Sequence, residues 1–179
     1  MTETVQEATV NSRAPVEAHT SLAKAIHWGF IAVFIFVISK QVDEVEELED
    51  LALLQEEVFF ATLFLVLLLG RFLYMRSTRA SAMPEDTPRH IALLARIVHQ
   101  GMYISLAMIA VTGLIIGGLY SSGIKEGVLM EVVLLTHEIM FWTSINLIAL
   151  HIVGAIYHRQ KNDGIWNSMV PVLKERSES

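Results

Sequence analysis

The sequence predicts an all-α integral membrane protein: an antiparallel four-transmembrane-helix bundle with both termini cytoplasmic. Three observations carry this. Of the 179 residues, 53% are hydrophobic and the mean hydropathy is +0.49, too apolar for an ordinary soluble domain. The apolar residues gather into four long stretches, each able to cross a bilayer core of about 30 Å. The basic residues divide unevenly between the two ends of those stretches, which orients them.

In chain order, residues 1–20 are polar, do not resemble a cleaved signal and are expected to form a flexible cytoplasmic segment. The first helix begins near Ser21, a suitable N-cap, and carries His27 and Trp28 just inside its start before running on through residues 29–39. An acidic connection, residues 43–50, follows. The second helix spans roughly Gln55 to Met75 and contains Glu56, Glu57 and Arg71; a basic loop with Arg76, Arg79, Pro84, Pro88 and Arg89 comes next. The third runs from about Ile91 to Tyr120, with Arg96 and His99 near its start and Gly113, Gly117 and Gly118 where a neighbouring helix or a flat cofactor could come close. A short loop from Ser121 to Gly127 leads to the fourth helix, Leu129 to Tyr157. The four-helix transmembrane bundle is therefore expected over residues 21–158, with a cytoplasmic tail over 159–179 whose Trp166, Met169 and Pro171 suit a membrane surface.

With four spans, the N-terminus, the second loop and the C-terminus share a side. That side holds Arg13, Lys24, Arg71, Arg76, Arg79, Arg89, Arg96, Arg159, Lys161, Lys174 and Arg176; the other keeps only Lys40 and Lys125. The positive-inside rule makes the basic side cytoplasmic. The acidic first connection then faces outward, either as a plain solvated loop or as a docking surface for a basic partner. The chain has no cysteine, which excludes disulfides, thiolate catalysis and iron–sulfur ligation within it. It shows no internal repeat and no glycine-rich phosphate motif.

The fourth helix is the chemical spine. His137 and His151 are fourteen residues apart, nearly a whole number of helical turns, so both leave one face, about 21 Å apart along the axis. Ionisable side chains inside a membrane are costly and point to function. Two interior imidazoles near opposite leaflets are what two stacked haems would use. His27 and His151 both fall toward the cytoplasmic leaflet, a depth-matched pair on two helices that suits bis-imidazole ligation of one haem iron. The plain alternative is a pair of hydrogen-bonded interior histidines. His137 lies toward the outer leaflet, where no second histidine matches it. Glu57 stands fourteen residues before Arg71, so these two share a face at the depths of His137 and His151 respectively. Arg71 either balances a haem propionate or snorkels to the cytoplasm. Glu57 is either an interfacial carboxylate in water or a hydrogen-bond partner of His137. His99 and His158 read as surface or quinone-pocket histidines, and His19 and His90 as plain loop residues.

At these residues the chain resembles the bacterial cytochrome b561 family, four-helix di-haem inner-membrane proteins that include superoxide:ubiquinone oxidoreductase. The resemblance covers about residues 20–172. It rests on Ile26-His27-Trp28, Gly70-Arg71, His99, His137-Glu138, Leu150-His151 and the Met169 and Pro171 pair. It implies an inner haem held by His27 and His151, and an outer haem held by His137 and a histidine of the second helix. That last position is Glu57 here. The outer haem is then absent, five-coordinate on His137, or completed by Glu57 or a partner subunit. The resemblance further implies haem b, one or two per chain, and a multi-pass place in the bacterial inner membrane. It also implies electron exchange between ubiquinone and either superoxide or a redox partner protein. Such a protein is an oxidoreductase only in the electron-transfer sense, since no general acid–base pair or nucleophile stands out. Nucleic acid is not an expected partner. The alternative is a degenerate relative acting as an anchoring subunit of a larger redox or photosynthetic membrane complex, with one haem or none.

Overall fold

The computed structural model describes residues 19–41, 45–78 and 87–175. Four helices in it are long and apolar enough to cross a membrane: α1 (Ser21–Lys40), α2 (Leu51–Ser77), α3 (Arg89–Ser121) and α4 (Val128–Lys161). A 3-10 turn (Val45–Glu49) precedes α2, and a short α5 (Ile165–Met169) follows α4. The expected flexible segment falls on residues 1–20, of which 1–18 lie outside the described residues. Parts of both long connections and the last four residues lie outside them too.

The helix ends follow local chemistry. Thr20 caps α1 by accepting from the Ala23 amide, and Asp50 caps α2 by accepting from Ala52. The Asp50 cap explains why α2 starts at Leu51 rather than near Gln55: a carboxylate placed to take a free N–H lets the helix begin a turn earlier. At the other end, α4 continues past Tyr157 to Lys161 and stops at Asn162, which turns left-handed at φ 51°. His158, Arg159 and Lys161 in its last turn suit the negative end of the helix dipole.

The helices pack in sequence, α1 on α2, α2 on α3 and α3 on α4, while α1 and α4 have little backbone packing between them. Fully buried Ser105 and Ser144 lie on α3 and α4, the pair most closely packed, where small side chains let backbones approach. The centre of the bundle is a cluster of Phe30, Phe64, Leu68, Leu106 and Ala110. A second cluster, Leu48, Leu54, Ile116, Tyr120 and Met130, closes the outer end. Many large apolar side chains point outward, among them Ile35, Phe59, Val66, Leu69 and Val153. In water that would be costly; against hydrocarbon it is the expected exterior.

The tail does more than lie along a surface. It turns at Gly164 (φ 85°) and α5 comes back against α1. Lys24 Nζ donates to the Asn167 carbonyl at 3.0 Å, and Trp28 Nε1 donates to that of Met169 at 3.2 Å. His158 Nδ1 and Asp163 meet at 2.7 Å and hold the turn, and the Arg159 guanidinium lies over the Trp166 ring. On the same side, Thr20 bonds the Tyr74 hydroxyl at 2.9 Å, tying the start of α1 to the end of α2. His19, beside Lys24, is held below the ordinary imidazole range chiefly by partial burial.

Candidate functional site

The polar residues inside the bundle fall into two tiers. Four pairs of positions stand fourteen residues apart: His27 on α1 with Gln41 at its C-cap, Glu57 and Arg71 on α2, His99 and Gly113 on α3, His137 and His151 on α4. That interval is about 21 Å of helix and returns to the same face. Because neighbouring helices run antiparallel, equal intervals keep both tiers level across the bundle.

The inner tier gathers His27, Arg71, His99 and His151. The His27 and His151 rings lie with centroids 6.4 Å apart and their planes at 71°. Two imidazoles on opposite sides of one iron lie roughly 6 Å apart centre to centre, given metal–nitrogen bonds of about 2.0 Å. His99 also touches His151, edge-on at 4.9 Å. That is too close for a shared iron, so His99 is a neighbour of His151 rather than its counterpart. Its Nδ1 donates to the Ala95 carbonyl at 2.7 Å, while the residue itself is exposed on the face of the bundle.

Arg71 turns inward instead of snorkelling. Its Nη2 donates to His27 Nδ1 at 2.8 Å, and its guanidinium carbon stands 5.4 Å from the Phe30 ring centre and 5.6 Å from that of Tyr103. Its Nε is buried with no hydrogen-bond partner. A buried guanidinium with a spare N–H is half of an anion site. The inner tier therefore fits a haem: two imidazoles at a separation that an iron could bridge, on two helices that do not close on each other, with an underused cation beside them.

The outer tier gathers Gln41, Glu57, Gly113 and His137. Gln41 Nε2 lies 3.3 Å from His137 Nε2, and Thr112 Oγ1 lies 2.9 Å from His137 Nδ1. Gly113 faces the same ring: a Cβ there would stand 3.6 Å from His137 Cε1. Gln41, Glu57, Gly113 and His137 line one cavity with Phe34 and Phe141.

Sequence reasoning placed His27, His151, Arg71, His137 and Glu57 at these depths. It missed Gln41 and Thr112; His99, read as a surface or quinone-pocket residue, is exposed and touches His151. The fourteen-residue interval from His27 would have found Gln41. Thr112 had no sequence signal beyond being a hydroxyl in an apolar run. His158 lies outside the tiers and serves the tail.

A family model described as prokaryotic cytochrome b561 matches residues 18–172. No curated protein and no solved structure matches the chain.

Proposed function

The chain belongs to the prokaryotic cytochrome b561 family of membrane b-type cytochromes, and on that premise we propose that it exchanges electrons with a membrane quinone through a haem b held by His27 and His151. The observation that carries this is the 6.4 Å separation of those two rings, across helices that have little backbone packing between them.

Haem b, when bound, supplies a one-electron couple that no amino acid here provides. The residues bind and orient it. His27 and His151 would hold its iron, and Arg71 would offset an acidic group of the cofactor with the N–H it leaves unpartnered. A His27 that binds a metal through one ring nitrogen carries its hydrogen on the other, so the Arg71 contact to His27 Nδ1 would give way on binding. Phe30, Phe64 and Leu106 keep the site dry on its outer side. On the inner side, Trp28 and Lys24 hold the returning tail across the foot of α1.

Quinone is the favoured exchange partner because His99 touches His151 while lying exposed on the bundle face. A lipid-soluble carrier reaches that edge without leaving the membrane. The other partner is superoxide or a redox protein.

The test is a reduced-minus-oxidised spectrum and a pyridine haemochrome assay on the purified chain, followed by reoxidation of the reduced protein with a short-chain ubiquinone analogue. A low-spin b-type band that quinone bleaches is the expected result. Absence of haem sinks the proposal. A haem that quinone leaves reduced would confine the exchange to protein partners or superoxide.

A further inference from the structure

The tiers differ in how far the chain satisfies its own polar groups. In the inner tier, His151 has ring contacts with His27 and His99 but no hydrogen bond, and Arg71 Nε is buried without a partner. The inner residues leave capacity for a ligand. The outer tier uses its imidazole fully.

Thr112 Oγ1 lies 2.6 Å from the Met108 carbonyl and 2.9 Å from His137 Nδ1. A hydroxyl has one hydrogen, and the carbonyl can only accept it, so Thr112 must accept from His137 Nδ1–H. Neutral His137 then has its lone pair on Nε2, which accepts from the Gln41 amide at 3.3 Å. The orientation of Gln41 follows, since only its NH2 can donate. Each bond fixes the next, and no nitrogen of His137 is left over. Such a closed network is stable as it stands, and losing one member would strand the others.

The helices beside this tier are tightly packed. A Cβ on Gly117 would stand 2.6 Å from Val58 Cγ2, so α2 and α3 are already in close contact just beyond the cavity. Glu57, the residue at this depth on α2, is a hard oxygen donor rather than a second imidazole.

We propose that the outer tier is a self-satisfied polar network that takes no haem, so that the chain carries a single haem, at the inner tier. Electrons then enter and leave on the inner side of the membrane instead of crossing it. This rests on the inner-tier haem proposed above.

The test is haem per polypeptide and the α-band of the full chain in detergent, for the wild type and for His137→Gln, His137→Ala and His151→Ala. One haem in the wild type is expected. The His137 variants should keep it with an unshifted band, and His151→Ala should have none. His137→Gln retains a hydrogen-bonding side chain at the tier, which covers the case where His137→Ala does not fold. Two haems in the wild type, or loss of haem from a folded His137 variant, overturn the inference while leaving haem-based electron transfer in place. A wild type without haem overturns both this inference and the function beneath it.

Discussion

Gln41 and His137 meet at 3.3 Å, each fourteen residues along the chain from a member of the His27–His151 pair. One end of that ladder is two imidazoles 6.4 Å apart; the other is an amide hydrogen-bonded to an imidazole. Between them lie Phe30, Phe34 and Phe64, with ring centroids 4.9 Å apart for Phe30 and Phe64 and 5.8 Å apart for Phe34 and Phe64. The α4 position midway between the two histidines is Ser144, fully buried. The tiers are thus built on one repeat, separated by a dry aromatic layer, and given different chemistry by the side chains at Gln41 and Glu57.

The inner tier holds three histidines, but only His27 and His151 stand at a separation that an iron could bridge. His27→Ala and His151→Ala are expected to lose the haem band, because each removes one side of the pair. His99→Ala is expected to keep a low-spin haem, since its ring meets His151 edge-on at 4.9 Å and shares no iron with it. Visible spectra of the three purified variants decide this; a low-spin spectrum retained in His151→Ala would refute the ligand assignment.

Arg71 places a positive charge at the inner tier. Replacing it with Gln removes that charge while keeping amide N–H groups near His27. The oxidised, more positive haem is then relatively favoured, so the reduction potential should fall. An electrostatic change of about 1.4 kcal/mol corresponds to about 59 mV for a one-electron couple. Redox titration of Arg71→Gln is expected to show a drop of that order with the haem retained. An unchanged or raised potential would mean that Arg71 does not face the haem.

The fourteen-residue repeat made much of this legible beforehand. His137 with His151 and Glu57 with Arg71 could be assigned to depths from spacing alone, because helix rise is fixed whatever the helix packs against. Which side of a membrane helix faces inward was harder. These helices are apolar almost all round, so hydrophobic periodicity marks no interior face. Only the polar residues mark it, and an amide such as Gln41 or a hydroxyl such as Thr112 is easily passed over beside histidines. The tail had no periodic signal either. Its docking depends on Trp28 and Lys24 finding the backbone carbonyls of Met169 and Asn167, contacts that no pattern of residue types announces.

Gly117 tests the tightness of the outer half. A methyl group there would stand 2.6 Å from Val58 Cγ2, and a β-branched valine on a helix has little rotamer freedom with which to yield. Gly117→Ala should therefore destabilise the bundle by about 1–3 kcal/mol through overpacking. Val58→Ala in the same chain should recover most of the loss by vacating the clash. Thermal unfolding in one detergent, followed by circular dichroism, compares the two. If Gly117→Ala alone unfolds no earlier than the wild type, α2 and α3 are not packed this closely.

The outer tier can be asked to change its chemistry. Glu57→His places a second imidazole at the depth of His137, but Gln41 still occupies His137 Nε2. The single substitution is therefore expected to leave haem content at the wild-type value. Adding Gln41→Ala frees Nε2 and enlarges the cavity from the α1 side, while Thr112 continues to hold the hydrogen on Nδ1. That tautomer is the one an iron ligand needs, so the double variant is expected to gain haem at the outer tier, read as a rise in haem per polypeptide and a second component in the redox titration. A gain already complete in Glu57→His would show that the missing histidine alone decides occupancy and that Gln41 is no obstacle.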